Sequence, residues 1–255
     1  MIFCKPDAYL AFGTLPTPRI VETTIPGAPE YLHGLRILFV SDLHFSRYTP
    51  AGRCARLKAQ MAALSPDLLL LGGDYAEDYR GMVRFLGLLA GVPHPLGAYG
   101  VPGNNDYELD SGLEFLSKKT NNAGLPLLVN ESIPLALPGG TLYIGGCDDY
   151  KHGHPDTRRI FPEANGYRIL LSHYPVLPEC RVDLMLSGHT HGGQFNFLGL
   201  SPYTLGYERK RRLCALSGLH RFDRTQVLVS NGVGVSKLPL RIGAEPQLHL
   251  LKFGR

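Results

Sequence analysis

The sequence predicts an α/β fold, and three observations carry that expectation. Two apolar runs, Ile37-Leu-Phe-Val40 and Leu68-Leu-Leu-Leu71, show no polar alternation, as strands covered on both faces do. Helical spacing separates and follows them: Leu57, Met61 and Leu64 within 51–64, then an amphipathic stretch over 79–90. Each apolar run stops at glycine, aspartate or histidine, and the same punctuation recurs at three later strand candidates.

The chain has 255 residues, 44% hydrophobic and 19% charged, which suits one domain over 1–255, with 1–34 as an N-terminal edge-strand extension. A net charge of +4 permits an anionic substrate but is not that of a typical nucleic-acid-binding chain. The cysteines (Cys4, Cys54, Cys147, Cys180 and Cys214) are odd in number and lack a C-x-x-C, which favours a reducing compartment over a disulfide scaffold. Residues 1–15 form too short and too interrupted an apolar run for a signal or a spanning helix, and no other window reaches that length. The expectation is a cytoplasmic protein. Arg209-Lys-Arg-Arg212 offers salt-dependent peripheral contact with an anionic membrane on its inner face, although such a run most often makes a solvated face.

In chain order, 14–29 is proline-rich with a β-like run at 19–24, read as an edge strand. The strand 37–40 runs straight into Asp42-Leu-His44. Residues two apart in an extended chain point the same way, so this carboxylate and imidazole reach one point, as ligands of a divalent metal would. Alone, a Ser-Asp turn with a satisfied histidine explains the stretch equally well. The next strand ends in Gly72-Gly-Asp74, where glycine permits close backbone approach. A strand near 96–101 meets Gly103-Asn-Asn-Asp106, turn chemistry on one reading and a carbonyl ligand from Asn104 on another. A helix is expected over 110–122, capped by Asp110 or Ser111, then short strands at 127–129, 133–137 and 142–144. The polar loop Cys147-Asp-Asp-Tyr-Lys-His-Gly-His154 could position a ligand or be solvated. Strands at 167–171 and 182–186 end in Ser172-His173 and Ser187-Gly-His-Thr-His191. Strands at 226–229 and 247–253 close the fold, with His220 and His249 read as structural. Five strand ends with such side chains point to a shared crevice, because strand ends on one side of an α/β sheet converge.

Asp42-Leu-His44, Gly73-Asp74, Gly103-Asn104, His173 and Gly188-His-Thr-His191 together resemble the calcineurin-like metallophosphoesterases. Gly188-His-Thr-His-Gly-Gly-Gln194 and Asn231-Gly-Val-Gly-Val-Ser-Lys-Leu-Pro-Leu-Arg241 are similar to a bacterial phosphodiesterase-like branch, whose members often carry an N-terminal anchor or export signal. The resemblance implies a four-layer αββα sandwich of two mixed β-sheets flanked by helices. It implies two divalent ions, with Asp42, His44 and His191 on one, Asn104, His173 and His189 on the other, and Asp74 bridging. Mn is the first expectation, with Fe or Zn as alternatives, since mixed imidazole, carboxylate and amide donors suit all three.

One position departs from the family pattern. The usual Gly-Asn-His is here Gly103-Asn-Asn105, and the family histidine is thought to orient the phosphate and protonate the leaving group. Asparagine donates a hydrogen bond but cannot shuttle a proton near neutral pH. His152 and His154 are the nearest substitutes, or the substrate has a good leaving group. The expected activity is metal-dependent hydrolysis of a small phosphodiester or pyrophosphate, nucleotide-linked or lipid-linked, with water as nucleophile. A nuclease is disfavoured by the modest basicity and by the lack of aromatic residues interleaved with the basic run. A non-catalytic scaffold is disfavoured because every ligand position is intact.

Overall fold

Two mixed sheets stack face to face, and their strand order explains how stretches far apart in sequence meet. The computed structural model describes residues 10–12, 17–110, 112–162, 164–198, 200–206 and 212–254. The first sheet has five strands in the order β2 (Arg19–Ile25), β13 (Gln247–Phe253), β3 (Arg36–Val40), β4 (Leu68–Leu71) and β5 (Ala98–Gly100). Strands β3, β4 and β5 are parallel, whereas β13 runs antiparallel to β3 and parallel to β2. The second has six: β10 (Gly218–Phe222), β11 (Thr225–Val229), β9 (Leu184–Ser187), β8 (Tyr167–Leu171), β7 (Gly140–Gly146) and β6 (Glu131–Leu137). Its inner four strands are parallel, and an antiparallel hairpin partner closes each edge. A separate ribbon pairs β1 (Leu10–Phe12) with β12 (Leu240–Ile242).

Register aligns the strand ends. Val40 pairs with Leu71 and Leu71 with Gly100, so β3, β4 and β5 stop level with one another. Leu171 pairs with Leu186 in the other sheet, and β8 and β9 stop together too.

The absence of alternation in β3 and β4 follows from what covers them. Ile37, Phe39, Leu68 and Leu70 face the second sheet and pack with Ile144, Ile169, Leu171, Leu184 and Leu186. Leu38, Val40, Leu69 and Leu71 face outward against α1 (Ala51–Ala63), α2 (Tyr79–Leu89) and α4 (Glu114–Asn122), through Leu57, Met61, Met82, Phe85, Leu88 and Leu116. Burying each such side chain contributes roughly 1.5–3 kcal/mol. The outer face of the six-stranded sheet (Leu170, Met185, Val227, Val229) packs on Ile160, Phe161, Val182 and Ala215. That cover is loop and one short 3-10 turn, Thr157–Arg159, with no α-helix among the described residues. The architecture is the expected α/β stack of two mixed sheets with helices, and its fourth layer is thin.

Several elements differ from expectation. The helix expected over 110–122 is split. Residues read as a turn begin α3 (Asn104–Leu109), and α4 starts at Glu114. Asp110 works from the gap, its carboxylate accepting the Leu116 N–H at 2.9 Å, while Ser111 lies outside the described residues. The segment 127–129 makes a single bridge, Leu127 to Gly100, and not a strand. Strand β10 was not anticipated, because it is a half-exposed edge with polar residues among its five. The edge-strand reading of 19–24 holds in β2. The basic run lies outside the described residues up to position 211, and Arg212 is exposed. Among the described residues no helix is long and apolar enough to cross a membrane.

Candidate metal centre

The seven residues singled out at strand ends meet in one buried cluster: Asp42, His44, Asp74, Asn104, His173, His189 and His191 are all buried. Asp42 and His44 follow β3, Asp74 follows β4, Asn104 opens α3 after β5, His173 follows β8, and His189 and His191 follow β9. Five of these sites turn the backbone left-handed: Asp42 (φ 52°), His44 (46°), Asp74 (55°), His189 (68°) and His191 (51°). Non-glycine residues take that conformation at a cost of order 1–3 kcal/mol each, so the surrounding structure must impose it.

Two glycines make room for the carboxylates. A Cβ on Gly103 would lie 2.2 Å from Asp74 Oδ1, and one on Gly188 would lie 2.3 Å from Asp42 Oδ2. Asp106 fixes the loops from behind. Its buried carboxylate accepts the backbone N–H of Asp74 (2.8 Å), Tyr75 (3.0 Å) and Gly103 (2.8 Å). Burial and the neighbouring Asp74 charge push its carboxyl up to about 7, against the pull of those three bonds.

The donor atoms are crowded. His44 Nε2 lies 3.0 Å from His191 Nε2 and 3.5 Å from Asp74 Oδ2, and His191 Nε2 lies 3.6 Å from Asp42 Oδ1. His173 Nε2 is 3.4 Å from Asp74 Oδ2. His189 Nδ1 sits 3.1 Å from Asn104 Oδ1 and 3.3 Å from His173 Nε2. Two sets, Asp42/His44/His191 and Asp42/Asp74/His173, each converge within 4.8 Å. Carboxylate and imidazole lone pairs this close repel unless protons or cations lie between them, and the donor set suits divalent transition metals.

Outer contacts orient the donors, as they do around metal ligands generally. His44 Nδ1 donates to Glu77 Oε1, which leaves Nε2 for the centre. His173 Nδ1 donates to the Gly72 carbonyl at 2.7 Å with the same result. Asn104 Nδ2 donates to Asn105 Oδ1 at 2.8 Å and so aims its own carbonyl oxygen inward. Tyr174 stacks on His189 with ring centroids 3.6 Å apart. His191 is the exception: its Nδ1 accepts from the buried Arg241 guanidinium at 3.1 Å, so the neutral ring carries its proton on Nε2, towards His44. Ligation through His191 Nε2 would need the other neutral tautomer, with the proton moved to Nδ1 and the Arg241 hydrogen bond opened.

Charge follows the same pattern. Burial works against the Asp74 anion, but His173 and His44 outweigh it and hold the carboxyl well below the usual range. Burial lowers His173, yet the same aspartate overrides this and takes it up to about 10. Burial, His44 and Arg241 together lower His191.

Asn105 is spent on the scaffold. Its N–H donates to Asp74 Oδ1 at 2.8 Å and its Nδ2 to Glu77 Oε1 at 2.9 Å. His152 and His154 are not brought to the centre. His152 Nε2 is 3.3 Å from Glu108 Oε1, His154 is exposed, and neither lines the cleft over the donors. Lys151 and Glu108 line it instead, paired at 2.6 Å. Sequence reading missed Glu77, Asp106, Tyr174 and Arg241. Asp106 and Arg241 stood inside runs already singled out but without a role, Glu77 and Tyr174 sit just past such runs, and Arg241 reaches back fifty positions to His191.

Two clefts meet at the cluster. One, of about 430 Å³, has Asp74, Asn104 and His189 at its floor and Tyr174, Phe195 and Tyr203 in its walls. The other, of about 780 Å³, runs past His44 between Arg47, Tyr48, Arg53 and Glu77. Lys237 lines both.

The profile of the calcineurin-like phosphoesterase family matches residues 35–193, a span that contains all seven donors. The chain belongs to this family. It is 32% identical over 229 residues to YpbG of Bacillus subtilis (strain 168), covering 85% of this chain and 80% of that one. It is 30% identical over 225 residues to the phosphodiesterase YaeI of Escherichia coli (strain K12), covering 86% and 82%. Among solved structures, the phosphopantetheinyl hydrolase of Mycobacterium tuberculosis superposes with a TM-score of 0.47 at 13% identity, over 83% of this chain and 96% of that one. Membership places the chain in a family of phosphoesterases, and its buried donors are candidate metal ligands.

Proposed function

We propose that the protein is a dinuclear-metal-dependent hydrolase of phosphodiester or pyrophosphate bonds, with water as nucleophile. The observation that carries this is the place of Asp74: its Oδ2 lies 3.5 Å from His44 Nε2 and 3.4 Å from His173 Nε2, between two donor sets. In this reading Asp42, His44 and His191 would hold one ion, Asn104, His173 and His189 would hold the other, and Asp74 would be shared between them. Such a pair, with Mn first among Mn, Fe and Zn, would supply Lewis-acid polarisation of a phosphoryl group and a water made nucleophilic near neutral pH.

The chain's own residues supply orientation and charge. Glu77 and the Gly72 carbonyl keep the Nδ1 protons of His44 and His173 turned away from the reacting phosphorus. Lys151 and Lys237 offer positive charge to non-bridging or departing oxygens. The paired clefts favour a diester or pyrophosphate over a monoester, because a substrate with substituents on both sides of the phosphorus occupies both. The cleft by Arg47, Arg53 and Lys237 suits an anionic or polar limb, and the cleft walled by Tyr174, Phe195 and Tyr203 suits an aromatic or apolar one. The name of the Escherichia coli relative supports a diester. Since Asn105 supplies no proton, the favoured leaving groups are those that need little protonation. The free cysteines favour the cytoplasm.

The test is hydrolysis of bis(4-nitrophenyl) phosphate, a dinucleoside pyrophosphate and 4-nitrophenyl phosphate with Mn added. Turnover of the first two that chelation abolishes, with little of the third, is expected. A preference for the monoester, or activity indifferent to chelator, contradicts the proposal.

A further inference from the structure

The rim of the aromatic cleft carries apolar side chains that are exposed among the described residues. Phe195 and Tyr203 belong to the cleft wall, and the chain between them leaves it and returns. At its tip Phe197 and Leu200 exchange both backbone hydrogen bonds at 2.9 Å, and Leu198 turns left-handed with φ 51°. Phe197 is 65% exposed, Leu198 78% and Leu205 76%. Across the rim Leu238 is 57% exposed and lines the same cleft. Gln194 ties the two sides, its Nε2 donating to the Ser236 and Leu238 carbonyls at 3.0 and 3.2 Å. Isolated exposed leucines are ordinary, but an apolar tip at the mouth of a site is not.

We propose that this rim seats the protein on an anionic lipid surface, with the cleft opening toward the bilayer. The consequence for substrate, a phosphodiester or pyrophosphate bearing an apolar tail drawn from that surface, rests on the hydrolase reading above. Charge selects the occupant. Neither 195–206 nor 236–242 contains an acidic residue, Lys237 is exposed beside Leu238, and in the sequence four basic residues, Arg209-Lys-Arg-Arg212, follow Leu205 after a single acidic one, Glu208. Apolar side chains that enter the headgroup boundary, flanked by cations, are what an interfacial element requires. A second copy of the chain would bring the same cations against themselves. Salt screens the cations but not the buried apolar area, so attachment weakens with salt without vanishing.

The experiment is flotation of the full chain with vesicles of equal phosphatidylcholine and phosphatidylglycerol, or of phosphatidylcholine alone, at low and high salt. The double variant Phe197→Glu, Leu198→Glu is compared, with Phe197→Ser, Leu198→Ser as a version that adds no charge. The wild type floats with the anionic vesicles and partly persists in high salt. Both variants partition about tenfold or more weakly, the loss expected for withdrawing large apolar side chains. Their turnover of bis(4-nitrophenyl) phosphate with Mn stays at the wild-type rate. The proposal is overturned if the wild type ignores anionic vesicles, if the serine variant floats as the wild type does, or if sedimentation shows a wild-type dimer that the variants dissolve. Failure of the hydrolase reading looks different: vesicle binding with no turnover of any soluble diester.

Discussion

The two sheets bring different chemistry to the centre. The five-stranded sheet supplies Asp42, His44, Asp74 and Asn104, hence both carboxylates and the amide, whereas the six-stranded sheet supplies only imidazoles, His173, His189 and His191. In the first set Asp106 accepts three N–H groups of its loops, the His189 N–H reaches across to Asp42 Oδ1 at 3.0 Å, and the Glu77 and Asn105 side chains orient His44 and Asn104. In the second set the Gly72 carbonyl, from the other sheet's loop, holds His173, Tyr174 stacks on His189 and Arg241 meets His191. Neither sheet alone presents a full coordination set, so occupancy by metal and the stacking of the sheets are linked. Anionic donors confined to one sheet also explain why Asp74 sits at the seam, where histidines of both sheets reach it.

The largest effect is expected from breaking that seam. Asp74→Ala removes the shared oxygen and should lower phosphodiester turnover by about a thousandfold or more, since each ion contributes several kcal/mol to charge stabilisation. Steady-state rates with saturating Mn check this. A loss under tenfold would return the catalytic burden to one sheet.

Asn105→His asks whether the five-stranded sheet lacks only a proton donor. Rates on alkyl leaving groups should rise by up to about a hundredfold, while aryl leaving groups change little. The measurement is rate against leaving-group pKa for both proteins. A slope left unchanged places the proton source elsewhere in the cleft, with Lys151 the next position to substitute.

Glu77→Gln weakens the orientation of His44 without touching a donor atom. Metal affinity should fall by about ten- to a hundredfold at that ion, the usual effect of losing a partner of a ligating histidine. Competition with a chromophoric chelator reads it, and unchanged affinity would make Glu77 a bystander.

These effects rest on residues that differed in legibility. Asp42, His44 and the later clusters were readable as ligand residue types at strand ends, but not through extended-chain spacing, because Asp42, His44, His189 and His191 lie past the strands with left-handed φ. Glu77 and Asp106 lay in or beside the same stretches, but their carboxylates meet partners brought close only by the fold, His44 and Asn105 for Glu77 and the backbone of Asp74 and Tyr75 for Asp106, which spacing does not encode. Arg241 closes the run 231–241 singled out in the sequence, but its role was not legible there, because only the folded chain places it behind His191. The split between α3 and α4 was missed because Gly103-Asn-Asn-Asp106 suits a turn and a helix start alike. The thin cover of the six-stranded sheet is loop, and loops have no periodicity to read.

The smallest effect contrasts a buried histidine without charged neighbours. His249 on β13 packs near Phe39, its ring centroid 6.5 Å away, and burial lowers it from 6.5 to about 4. Between those values the unfolded chain binds more protons than the folded one, so this contribution to stability is complete above about 6.5 and fades as pH falls towards 4. From pH 7 to pH 5 the wild type should lose about 2 kcal/mol more than His249→Phe, as urea unfolding at the two pH values measures. Equal losses would contradict the assignment.

The most direct test of the two-sheet centre is metal content by titration of Mn into the wild type and Asp74→Ala. Two ions bound by the wild type and none held tightly by the variant are the predicted result. Two tightly held ions in Asp74→Ala would contradict the account, because each sheet would then bind metal without the bridge.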